Sequence, residues 1–84
     1  MDEGVGAAVR RFPAHQREIE ALAVRDEEFR SLCADLADAE NALGHWEASS
    51  SPIREQLCSE YRELAQDLAD EIGAALGVVR RDAR

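Results

Sequence analysis

This sequence predicts an all-α fold: a long antiparallel helical hairpin over residues about 26–47 and about 52–79, with a shorter N-terminal helix over about 13–24 and coiled-coil-like packing. Three observations carry the prediction. Leu57, Tyr61, Leu64, Leu68, Ile72, Ala75 and Val79 recur at steps of three or four residues, which sets them on one face of a helix. Phe29, Leu32, Leu36, Ala39, Leu43 and Trp46 recur at steps of 3, 4, 3, 4 and 3, the spacing of a coiled-coil seam. Between the two stripes stands Ser49-Ser50-Ser51-Pro52, a turn followed by a strong helix start: Ser51 suits an N-cap and Pro52 a first helical position. So short a connection makes the flanking helices antiparallel neighbours.

The two stripes specify a register. If Trp46 stands level with Arg54, facing residue numbers sum to about 100, so that Leu43 meets Leu57, Ala39 meets Tyr61, Leu36 meets Leu64 and Leu32 meets Leu68. Continued further, Leu22 reaches Val78 and Val79, and the first helix is expected to cover the far end of the last one.

The N-terminal third is less regular. Residues 1–8 hold two glycines and two acids without periodicity, and the expectation is a disordered tail, leaving residues 9–84 as a single helical-hairpin domain. Phe12-Pro13 is the first punctuation, since proline disfavours helix at the residue before it and fits a first turn. Phe12, His15, Ile19 and Leu22 then share one face. Asp26 is a good N-cap, followed by Glu27 and Glu28 where the helix dipole favours acids. The Phe12–Leu22 stripe runs one residue out of phase with the Leu32 seam, so a break or kink is expected near Asp26.

Both long helices carry a second, alanine-rich edge beside the seam: Cys33 and Ala37 on one, Ala65, Ala69 and Leu76 on the other. A two-helix sandwich does not need so wide an apolar face. Something must cover it at close range: the first helix, a second copy of the chain, or both. These five residues are the interface candidates, together with Trp46 beside the turn.

Composition bounds the function. A chain of 84 residues makes one domain with a thin core. Ten Lys+Arg against eighteen Asp+Glu give a formal charge of −8, which argues against direct nucleic-acid binding. All ten cations are arginine, so lysine chemistry is absent. No apolar run approaches the roughly 20 residues of a membrane span, and the acidic start is no secretory signal. With two cysteines and no export signal, the expectation is a cytoplasmic protein with reduced thiols.

No catalytic constellation stands out, so no enzyme, cofactor or metal is expected. His15 and His45 lie far apart, and neither has an acid three residues before it, as a helix-borne metal motif would require. In the expected register Cys33 and Cys58 are offset by about 13 Å along the helix axis, beyond the roughly 7 Å between Cα atoms that a disulfide allows. Glu60, Glu63, Asp67, Asp70 and Glu71 read as a solvated face that would attract a basic partner. Gly73 and Gly77 let the helix end fray or permit a close crossing with the first helix.

The ordered set Phe12-Pro13, Ile19, Leu22, Asp26-x-x-Phe29-x-x-Leu32 and Leu68-Ala69-Asp70-Glu71-Ile72 resembles the YdcH-like family of small bacterial helical-hairpin proteins. The chain departs from that family in having Ala14 after Phe-Pro, Glu27 after the aspartate and no lysine. The resemblance implies a helical hairpin and no catalytic residue, cofactor or substrate. The functional expectation is a non-enzymatic structural or protein-interaction module that self-associates through helix faces as a homodimer or higher homo-oligomer. The alternative is a small acidic regulator of a basic partner protein.

Overall fold

The computed structural model describes residues 2–78. They form four α-helices, α1 (Glu3–Arg11), α2 (Gln16–Arg25), α3 (Glu27–Glu47) and α4 (Arg54–Ala75), with a 3₁₀ turn over Pro13–His15 between the first two. No strand occurs among the described residues. The helices pack on one another, α3 against α4 most extensively and α1 against α3 next.

The disordered tail expected over residues 1–8 is corrected: α1 occupies that stretch from Glu3 onward, with Gly4, Val5, Ala7 and Ala8 buried. Its start is capped, the Val5 amide donating to Asp2 Oδ1 at 2.8 Å. Glu3 sits in the first turn and Arg10 and Arg11 in the last, each complementing the helix dipole. Val5, Ala8, Val9 and Phe12 do fall at helical spacing, but two glycines obscure the pattern. What holds α1 is tertiary. A β-carbon on Gly4 would stand 2.7 Å from the Ala34 nitrogen and 2.9 Å from the Cys33 carbonyl carbon. The two backbones thus approach as closely as only glycine allows.

The break at Asp26 is present. Asp26 is extended (φ −124°, ψ 106°), and its carboxylate accepts from the Phe29 amide at 3.1 Å, capping α3. Arg30 reaches back across the break and donates to the Ala23 carbonyl at 2.7 Å, satisfying a carbonyl at the end of α2. The helix expected from Pro13 opens with the 3₁₀ turn and becomes α-helical at Gln16.

α4 is shorter than the expected 52–79 at both ends. Ser51 Oγ accepts from the Ile53 amide at 3.3 Å, so Ser51-Pro52-Ile53 form a turn before the helix begins at Arg54. At the other end Gly77 takes φ +78°. The Val78 amide donates to the Gly73 carbonyl at 2.9 Å and the Gly77 amide to the Ala74 carbonyl at 3.1 Å. This pair is a Schellman cap, so Gly77 is a stop signal rather than part of a crossing motif. The expected contact of Val79 lies outside the described residues.

The core centres on Ile19, Phe29, Cys33, Leu36, Ala37, Ala65 and Ile72. On α4 it is rotated off the predicted stripe: Ala65 and Ala69 are buried, whereas Leu64 is 45 % exposed. Leu36, expected to face Leu64, is fully buried, whereas Leu64 is partly open to solvent. α1 packs on α3 at the side of Cys33. α2 packs on α3 and α1. At the far end of α4, Phe12, which follows α1, lies against Gly73.

Candidate interaction surface

The interface candidates divide in two. Cys33, Ala37, Ala65 and Ala69 are buried within the chain and so are not a surface on which a second copy could dock. Small side chains at these positions let α1 approach, which is the role their size suggested, with a different occupant. Leu76 is half-buried against the core. Trp46 is half-buried, with its ring edge-to-face against His45 at 5.2 Å between centroids.

Polar contacts tie α1 along the same side. Arg11 Nε donates to Glu40 Oε2 at 2.9 Å and Arg10 Nη2 to Glu40 Oε1 at 3.3 Å. Asn41 Nδ2 donates to Glu3 Oε2 at 2.9 Å. Such surface pairs add little energy, but they orient α1 across α3. Under it, burial pushes the Cys33 thiol from its ordinary value near 9 up to about 11, with the nearby Asp2 carboxylate adding to the effect. Cys33 and Cys58 are both buried free thiols, and for Cys33 the raised value keeps the thiol protonated and less reactive.

On the other side of the α3–α4 contact the seam is open. A shallow groove is lined by Asp35, Asp38, Ala39 and Ala42 of α3 and by Tyr61, Leu64 and Leu68 of α4. A second hollow, sharing Asp35 with it, is lined by Leu32, Glu27, Glu28 and Glu71. Neither α1 nor α2 contributes a residue to either. Leu32, Tyr61 and Leu68 are half-buried there and Leu64 is exposed. The sequence predicted these residues for the seam and missed that one side of the seam faces solvent. Periodicity identifies an apolar face; it does not say how far round the helix the neighbours reach.

The residues that could do acid–base or metal chemistry are scattered. His15 lies in the 3₁₀ turn, 3.8 Å from Glu18, and His45 lies on α3 beside Trp46. No group of three or more His, Cys, Asp or Glu side chains converges for a metal among the described residues. Among the described residues no helix is long and apolar enough to cross a membrane. No family model matches the chain, nor does any curated protein or solved structure.

Proposed function

We propose that this chain is a non-enzymatic protein-interaction module. Its frame is an antiparallel, coiled-coil-like hairpin of α3 and α4, braced on one side by α1, and it offers the open groove on the other side to a second polypeptide. The observation that carries the reading is the exposed Leu64 set among Ala39, Ala42, Tyr61 and Leu68. A contiguous apolar strip between two helices is a helix-in-groove docking face. The hairpin register is supported by groove neighbours such as Ala39 with Tyr61. Near the turn, Arg54 Nε donates to the Glu47 carbonyl at 3.0 Å. Kinship with the YdcH-like proteins is part of this proposal, on the ordered residues between Phe12 and Ile72.

The test is site-specific photo-cross-linking in the cells that make the protein. A photoreactive side chain at position 64 is expected to capture a protein, whereas the same group at Arg17, on exposed α2 surface, captures none. Absence of any adduct at 64 would sink the reading. Self-association is the second reading, favoured by the apolar character of the same strip. It predicts a dimer in sedimentation at micromolar concentration that Leu64→Glu returns to monomer.

A further inference from the structure

The charge around the groove restricts what fits it. We infer that its occupant is a basic amphipathic helix of a partner protein; this rests on the groove being the docking face. The apolar floor runs from Leu32 to Ala42, about 15 Å at 1.5 Å per residue, enough for roughly three turns of a docked helix. Its rim carries Glu27, Glu28, Asp35, Asp38 and Glu71 and, among the described residues, no cation. All five carboxylates are exposed. Among the described residues none of them has an ion-pair partner. The contrast with the α1 side is direct, because there Glu40 is held by two arginines and Glu3 by Asn41.

A second copy of the chain meets the same groove poorly. A two-fold interface sets the same patch against itself, and five carboxylates would then face five more. A helix with apolar residues at i, i+3 or i+4 and i+7, flanked by arginine or lysine, places its apolar side on Leu64 and Leu68 and its cations on the acidic rim. Such complementarity acts strongly on association rate and selects against acidic partners.

The experiment uses the full chain and synthetic helices of about 14 residues. One set is built from leucine, alanine, arginine and lysine, and a matched set has glutamate and glutamine in place of the cations. Binding is read by fluorescence anisotropy. The basic helices are expected to bind, with affinity falling about tenfold or more between low and physiological salt, and the acidic helices are not. Asp35→Lys/Asp38→Lys, at two exposed positions, is expected to weaken the basic helices about tenfold or more without changing the melting temperature. Equal binding of both sets, or indifference to the double substitution, would overturn the basic occupant while leaving the groove as a docking face. A dimer dissolved by Leu64→Glu would name the second copy as occupant instead. If neither set binds and position 64 yields no cross-link, both the occupant and the docking face fall.

Discussion

The Phe12 ring lies against Gly73, its Cζ 3.2 Å from where a β-carbon on that glycine would stand. One residue at the end of α1 thus meets the last turn of α4, and this contact ties the N-terminal helix to a chain segment some 60 residues away.

Valine at Gly73 would collide with that ring, so Gly73→Val is expected to destabilise the fold by about 1–3 kcal/mol. Phe12→Ala, which removes a half-buried ring, is expected to cost about 1–3 kcal/mol, below the full-burial range. Combined, the two should be less than additive, because the truncated side chain leaves room for valine. Chemical denaturation followed by circular dichroism measures the cycle. Strict additivity would show that the two positions do not sense each other.

Two glycines of α1 should respond in opposite directions. Gly4→Ala drives a methyl group into the backbone of Ala34 and Cys33, and lifting α1 is expected to cost about 1–3 kcal/mol. At Gly6 the nearest atom to a new β-carbon is the flexible Arg10 Nη1, at 3.7 Å. Gly6→Ala is therefore expected to gain about 0.5–1 kcal/mol from helix propensity. Equal stability of the two variants would refute the close crossing of α1 over α3.

Cys33 predicts an alkaline weakness. Its folded value is raised to about 11 from an ordinary value near 9, so the folded chain holds this proton more tightly than the unfolded chain does. The associated stability is fully present below about pH 9 and is lost as pH rises toward about 11. Its size is on the order of 2–3 kcal/mol. Denaturation of the native chain and of Cys33→Ala between pH 8 and pH 11 should converge or cross as this contribution disappears. Parallel pH profiles for the two proteins would show that Cys33 does not titrate against burial.

Much of the architecture was legible in local pattern. The α3 and α4 stripes, the Asp26 cap and the serine turn all rest on interactions within a few residues, where residue type and spacing decide the outcome. Gly77 was legible too, as a glycine just past a helix end, yet it was read through its spacing to Gly73. α1 was hidden because Gly4 and Gly6 are poor helix formers by propensity. Gly4 is tolerated because α3 passes so close, and that contact joins residues about 30 apart in the chain.

By itself the sequence determined that this protein is all-helical, where its principal helices lie and that its alanine-rich edge needed a cover. Helical periodicity and caps are short-range physics, and burial of a surplus apolar face is a necessity whatever covers it. Only the tertiary structure decided that the cover is the chain's own N-terminal helix. The core lies toward Cys33, Ala37, Ala65 and Ala69, and Leu64 is left on an open, acid-rimmed groove. Which side of an amphipathic helix stays dry depends on how its neighbours pack, and that packing is a property of the whole chain.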